Sequence, residues 1–294
     1  MSGRLRSLVA LLVFAFACGG PSATPSMSGT VDDFGDTLGL VAPATRVVSL
    51  NPVTTELLFA LGVGERLVGR TSWDLFPDAA RAVPDVGNGM QPNVEAVLGQ
   101  RPDLVLLYAS ASNRLAARQL RAAGVMTLAL RTDQVADLAR VTPIIAAALG
   151  AAERGRRVVD SVRASLAAVG AMPRPAAPVT AFWHIWDAPL MTIGGGSYLS
   201  ELLEIAGATN VFADAAAPSP QVTLEEVAAR DPRWVLAGPL SAVRIRAHPG
   251  WQAVRAVREG RVITIDTTVV GRPGVRMGEA ARYLRRVLID APPR

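Results

Sequence analysis

Val94-Glu95-Ala96-Val97, four intervening residues, then Pro102-Asp103-Leu104-Val105-Leu106: this stretch returns with identical spacing as Leu224-Glu225-Glu226-Val227, then Pro232-Arg233-Trp234-Val235-Leu236. An earlier phrase recurs as well. Thr55-Glu56-Leu57-Leu58 with Gly62 behind it reappears as Ser200-Glu201-Leu202-Leu203 with Gly207. Two phrases repeated in the same order predict two lobes of like construction, and two lobes leave a cleft between them.

The chain has 294 residues, of which 50% are apolar, enough for two cores when a domain takes ~100–200 residues. Its one long apolar run, Leu8 to Cys18, falls short of the ~20 residues that span a bilayer. That run follows Arg4 and Arg6 and ends in small residues, the pattern of an export signal over residues 1–18. The sole cysteine, Cys18, stands directly after Ala15-Phe16-Ala17. One reading is an ordinary signal-peptidase site; the other is a bacterial lipoprotein whose cut exposes Cys18 for lipidation. Residues 19–44, rich in Gly, Ser, Thr and Pro, read as a flexible tether and favour the second, although Ala15 stands where a lipobox usually carries Leu. The expectation is an exported, periplasmic or cell-surface monomer, held to the membrane by a lipid anchor only. With one cysteine, no disulfide within the chain is available.

All 30 basic residues are arginine, and the net charge is a modest +5. The arginines are dispersed among Leu, Ala and Val without a basic-aromatic stripe, which argues against a nucleic-acid partner.

Val47 to Leu50 reads as a strand, and Asn51-Pro52 as an N-cap with proline at the first helical position. The helix stops at Gly62. Leu104 to Tyr108 reads as a buried strand, Leu115 to Ala123 as a helix closed by Gly124, and Val125 to Leu130 as another strand. This alternation predicts α/β lobes with parallel-rich, Rossmann-like sheets, the first over residues 45–140 and the second over 173–294. Between them Ile144, Ala148, Val158, Val162 and Leu166 recur with helical period. Residues 141–172 are therefore expected to form a long backbone helix joining the lobes, weakened at Gly150 and Gly155, and a stiff bridge permits only small closure.

Arg46 to Pro52 leading into Thr55-Glu56-Leu57-Leu58, Pro102 to Leu106, Gly194-Gly195-Gly196-Ser197-Tyr198-Leu199 and Gln221-Val222-Thr223-Leu224-Glu225 together resemble the helical-backbone substrate-binding proteins of ABC importers. The nearest likeness is to periplasmic cobalamin-binding proteins, and it spans about Arg46 to Leu288. The resemblance implies a ligand held in the inter-lobe cleft and delivered to a membrane permease. It also implies that Glu95 and Glu225, one per lobe, dock onto the permease subunits. On residue types alone another role stays open. Asn93 and Thr223 read as N-caps, Thr223 with Glu226 as a capping box, and first-turn carboxylates meet the helix dipole favourably. The two roles are compatible.

A large amphipathic ligand needs aromatic walls and a few orienting polar groups. By the same resemblance Trp73 and Tyr108 match cobalamin-contacting aromatics, Trp186 falls close to one, and Arg272 matches a position that reaches into the cleft. Gly89 and Ser219 stand where such proteins carry tryptophan, and Met90 is a candidate to fill one gap. Gly194 to Gly196 read as a tight turn or as backbone donors to ligand oxygens. His184 and His248, far apart in the chain, do not suggest a metal site, and no cofactor is expected beyond the bound corrinoid. A ferric siderophore or heme is the alternative cargo. Catalysis is the rival class, but the chain shows no Gly-x-Ser-x-Gly elbow, H-E-x-x-H motif or P-loop. An enzyme is not expected.

Overall fold

In the computed structural model, which describes residues 30–290, the fold starts from strand β1 (Val47–Ser49) running into helix α1 (Pro52–Ala60). The Asn51 side chain accepts from the Val53 N–H at 3.0 Å, Pro52 takes the first helical turn, and Gly62 leaves the helix at φ +64°. Capping residue, proline and glycine thus act where the sequence places them. Strands β2 (Leu67–Gly69), β3 (Leu104–Tyr108) and β4 (Met126–Leu130) complete a parallel sheet in the order β2-β1-β3-β4. Helices α2 (Val94–Gly99) and α3 (Asn113–Ala122) belong to the same lobe.

Alternation along the strands sends side chains into two separate cores. Leu104 and Leu106 of β3 meet α1 and the bridging helices, whereas Val105 and Leu107 meet Val97 of α2 and Leu120 of α3. The second lobe repeats this division. Its sheet holds β5 (Thr180–Trp186), β6 (Met191–Thr192), β7 (Thr209–Asn210), β8 (Trp234–Ala237) and β9 (Val262–Thr264). The order is β6-β5-β8-β9, with β7 also beside β5, and only β6 is antiparallel. Its helices are α6 (Tyr198–Ala206), α7 (Leu224–Arg230), α8 (Pro239–Ala247), α9 (Arg255–Arg258), α10 (Thr267–Val270) and α11 (Met277–Arg285). Trp234 and Leu236 face one core, and Val235 and Ala237 face the other with Val227 of α7 and Ile245 of α8. The equivalence extends to backbone detail. Among the described residues, the non-glycine positions with positive φ are Arg101 (48°) and Asp231 (45°), each just before the proline of its copy.

Two expectations need correction. The bridge over 141–172 is not one helix. Helix α4 (Asp137–Ala148) and helix α5 (Ala152–Gly170) are separated by a break where Gly150 takes φ +63°. Both helices join the lobes: in α5 Val158 packs against the first core and Val162 and Val169 lie in the second, and in α4 Leu138 lies in the second core while Val141 and Ile145 lie in the first. The stretch 19–44 is not a free tether throughout. From Thr30 onward it is folded against the first lobe, with Leu38 and Ala44 in that core. Its acidic cluster covers the edge strand β4. Asp32 accepts from the Ala129 N–H at 3.0 Å, the Asp33 N–H donates to the Ala129 carbonyl at 2.9 Å, and the Asp33 carboxylate accepts from the Arg131 N–H at 2.6 Å. A sheet edge presents unpaired backbone groups, and these contacts satisfy them. Arg121 pairs with Asp32 and Asp36, and Arg140 with Asp33, so the cluster's charge is neutralised as well. Residues 1–18, with Cys18, lie outside the described residues.

Candidate ligand cleft and docking carboxylates

The carboxyl ends of parallel strands are where α/β lobes present ligand-binding loops. In the first lobe those ends carry Leu50-Asn51-Pro52 after β1, Thr71 and Trp73 after β2, and Tyr108, Ser110, Ser112 and Asn113 at the end of β3. With Gly89, Met90 and the second lobe's Gly271-Arg272-Pro273 they line a cleft of about 470 Å³. A second chamber of about 540 Å³ adjoins it at Tyr108 and Thr132 and is lined further by Gln134, Gly196, Tyr198, Pro218 and Ser219. The combined cleft therefore takes walls from both lobes.

Four of the five residues singled out as ligand contacts meet there: Trp73, Met90, Tyr108 and Arg272. Trp73 is 64% exposed, its turn pinned from below by Asp74. That buried carboxylate accepts from the Thr71 N–H and hydroxyl and from the Thr55 hydroxyl at 2.8–3.0 Å. Burial raises Asp74 above its ordinary value, against the lowering by these bonds. Tyr108 donates its hydroxyl to Asp133 at 2.7 Å, and burial, with that carboxylate's help, pushes the phenol up to about 12. It is a neutral donor at physiological pH. The fifth residue, Trp186, lines neither chamber. It stands 61% exposed at the end of β5, and its indole N–H donates to the Ala188 carbonyl at 3.0 Å, in the turn between β5 and β6.

Gly89 has a steric reason to be glycine, since a Cβ there would overlap the Leu50 carbonyl oxygen. With the backbone on this path no tryptophan fits, and Met90, 74% exposed, supplies the apolar surface beside it. Gly194, Gly195 and Gly196 lie equally close to carbonyls of Ala213 to Ala217. The Gly194 and Gly195 N–H groups already donate to Pro218 and Ala215, so these two serve a tight turn rather than a ligand, while Gly196 lines the second chamber.

Sequence reasoning missed the polar lip of the cleft, Asn51, Thr71, Ser110, Ser112, Asn113 and Thr132. Asn51 and Thr132 are joined at 3.3 Å, and Asn113 donates to the Gly89 and Tyr108 carbonyls at 2.9 and 3.0 Å while its own oxygen is left unpaired. The available signal was their position just beyond strand ends. His184 is buried against Trp251, with Nε2 2.9 Å from Asp187, and burial lowers its pKa against the pull of that carboxylate. His248 accepts from the Gly250 N–H and so caps the start of the short 3-10 helix Pro249–Ala253. Neither histidine lines the cleft, and no cluster of metal-ligating side chains occurs among the described residues.

Glu95 and Glu225 occupy the first turns of α2 and α7, both exposed, with no ion-pair or hydrogen-bond partner among the described residues. Capping is done by their neighbours. Asn93 accepts from Ala96 at 3.0 Å, and Thr223 and Glu226 form the full capping box. The two carboxylates are thus left unengaged at equivalent corners of the two lobes.

The family model described as "periplasmic binding protein" matches residues 47–269. A vitamin B12-binding protein of Photorhabdus laumondii is 30% identical over 256 residues, covering 85% of this chain and 90% of the relative. Among solved structures, the periplasmic heme-binding protein RhuT from Roseiflexus sp. RS-1 superposes with a TM-score of 0.76 at 27% identity, over 84% of this chain and 99% of that one. The vitamin B12-binding protein BtuF of Vibrio cholerae superposes with a TM-score of 0.67 at 24% identity, over 86% and 99%, a likeness of fold.

Proposed function

This chain belongs to the periplasmic binding protein family, and from that premise we propose that it is the exported receptor of an ABC importer, binding cobalamin or a related corrinoid in its inter-lobe cleft. The observation that carries the ligand reading is the composition of the cleft. Trp73, Met90 and Pro273 offer apolar surface, Arg272 a fixed cation, and Asn51, Ser110 and Asn113 a lip of amides and hydroxyls. A corrin is broad and apolar on its faces and ringed with amides, with one phosphate in its tail, and this set of groups answers each part. The vitamin B12-binding relative at 30% identity supports the same ligand.

Heme is the second reading, favoured by the heme-binding relative at 27% identity and by the Met90 thioether in the cleft. Heme iron takes an axial ligand from the protein, commonly His, Cys, Met or Tyr. No histidine lines the cleft, and Tyr108 is held as a neutral phenol bonded to Asp133. Cobalamin brings its own lower ligand and makes no such demand. Isothermal titration with cyanocobalamin, heme and a ferric siderophore separates the cargoes. A cyanocobalamin Kd of about 1 μM or tighter, with weaker binding of the other two, is the expected result; tight heme binding with no response to cyanocobalamin would replace the ligand and leave the receptor class standing.

Delivery follows from the two exposed carboxylates. Glu95 and Glu225 present matched anions at pseudo-twofold positions, suited to a permease of two like subunits carrying cationic pockets. The receptor acts as a monomer, without catalysis, and is anchored through a lipid on Cys18. Globomycin treatment, with mass spectrometry of the mature N-terminus, tests the anchor. An acylated Cys18 is expected; an unmodified terminus would place the protein free in the periplasm.

A further inference from the structure

The phrase Thr55-Glu56-Leu57-Leu58 and its repeat Ser200-Glu201-Leu202-Leu203 each put a glutamate on the first helix-forming segment of a lobe, and in both copies that carboxylate reaches out of its own lobe. Glu201 of α6 accepts from the Val135 N–H at 3.0 Å, on the segment that leads out of β4 toward α4. Glu56 of α1 meets Arg272 of the second lobe, Oε1 to Nη1 at 3.3 Å. The Arg272 Nη2 also donates to the Trp73 carbonyl at 2.6 Å. Glu56 is only 4% exposed, whereas the Arg272 side chain is 24% exposed and faces the cleft.

We propose that Glu56 is the positioning residue of the cleft: it clamps Arg272 across the lobe junction, setting the ligand-free separation of the lobes and aiming the guanidinium at the ligand. An arginine has five N–H donors in one plane. The contacts to Glu56 and the Trp73 carbonyl use two of them and fix that plane, leaving three for acceptor oxygens of cargo. Without the clamp the same arginine has a flexible stem and must lose rotamer freedom on binding. Val275, three residues on, packs against both lobes' cores, so the loop carrying Arg272 is seated on the first lobe at two points. The carboxylate is matched closely in space. Arg272 and Arg276 are the cations nearest it, Arg276 is engaged by Glu279, and Asp74 is the further acid behind it.

The clamp is read in two ways. The part concerning cargo rests on the corrinoid reading; the part concerning lobe separation does not. Spin labels at Gln119→Cys and Gln252→Cys, in a Cys18→Ser background, report the inter-lobe distance of the ligand-free protein. Glu56→Ala and Arg272→Ala are expected to broaden the distance distribution alike, the double variant no further, and Glu56→Gln, which keeps one acceptor oxygen, to fall between. An unchanged distribution in Glu56→Ala overturns the clamp; where that variant fails to fold, an unchanged distribution in Glu56→Gln and Arg272→Ala overturns it equally. For cyanocobalamin, each alanine variant is expected to lose roughly 10- to 100-fold in affinity, the scale of a charged hydrogen bond, with no added loss in the double variant. Losses that multiply show that Glu56 does not act through Arg272 and also overturn the proposal. If wild-type protein ignores cyanocobalamin, the corrinoid reading fails alone, and the distance measurement still decides the clamp.

Discussion

Glu95 opens α2 and Glu225 opens α7, and the two lobes match residue for residue from there to the middle of the next strand, where Leu104, Val105 and Leu106 correspond to Trp234, Val235 and Leu236. Beyond the strand they diverge. The first lobe continues with Tyr108, Ser110 and Asn113, all lining the cleft; the same places in the second lobe hold Gly238, Leu240 and Val243, the latter two exposed and apolar. What the halves share builds sheets and presents outward anions, and what they do not share lines the cleft in the first lobe. The first lobe therefore lines most of the first chamber, and the second lobe contributes the loop around Arg272 there and Gly196, Tyr198, Pro218 and Ser219 in the adjoining chamber.

The largest expected effect tests the shared part. Replacing Glu95 and Glu225 together with alanine should abolish uptake while leaving ligand affinity within about twofold of wild type, because neither side chain is near the cleft. Uptake at the wild-type rate in that variant would reduce both residues to helix-dipole partners. The next effect probes the divergent part. Trp73→Ala is expected to weaken ligand binding by roughly 10- to 100-fold, the range for an aromatic anchor, and Trp186→Ala to leave it nearly unchanged; the reverse order in a titration would move the ligand wall into the second lobe. Smaller again is Gly89→Ala, expected to cost about 1–3 kcal/mol in urea unfolding, since the new methyl meets the Leu50 carbonyl oxygen. Its control is Gly99→Ala, where the added methyl meets nothing and the backbone is not left-handed.

The smallest effect is one of pH. Burial raises Asp74 in the folded first lobe, so its linked stability is fully present below its ordinary pKa and is lost as pH rises through the raised value. The advantage of wild type over Asp74→Asn should accordingly shrink as pH rises from about 4 toward neutrality. An advantage that grows over that range, measured by unfolding midpoints, would contradict a burial-dominated carboxyl.

Much of this architecture was legible because the repeats combine short buried apolar strands with explicit helix punctuation. Asn51-Pro52, Thr223 with Glu226, and Gly62 act locally, so local sequence suffices to place them. The errors share a different physics. Residues Thr30 to Ala44 have the composition of a tether, yet Asp32 and Asp33 find partners on β4, about a hundred residues away in sequence, and nothing local announces an edge strand to cover. Trp186 looked like a cleft aromatic because it ends a strand; the turn after it, closing through Ala188, decides where it points. The Glu56–Arg272 contact joins the first lobe's opening helix to one of the last loops, a distance that spacing rules do not span. Among the cleft residues, those marked by unusual type, Trp73, Tyr108 and Met90, were readable, whereas Ser110, Asn113 and Thr132 were hidden in commonplace chemistry.

A corrinoid lying against the first lobe's wall must touch Trp73, and that indole offers the direct view of it. The chain has five tryptophans; Trp183, Trp234 and Trp251 are buried, and Trp73 is the one that lines the cleft. Cyanocobalamin should quench wild-type fluorescence saturably, and most of that quenching should vanish in Trp73→Phe. Quenching that persists undiminished in Trp73→Phe, or that follows heme but not cyanocobalamin, would contradict a corrinoid at this wall.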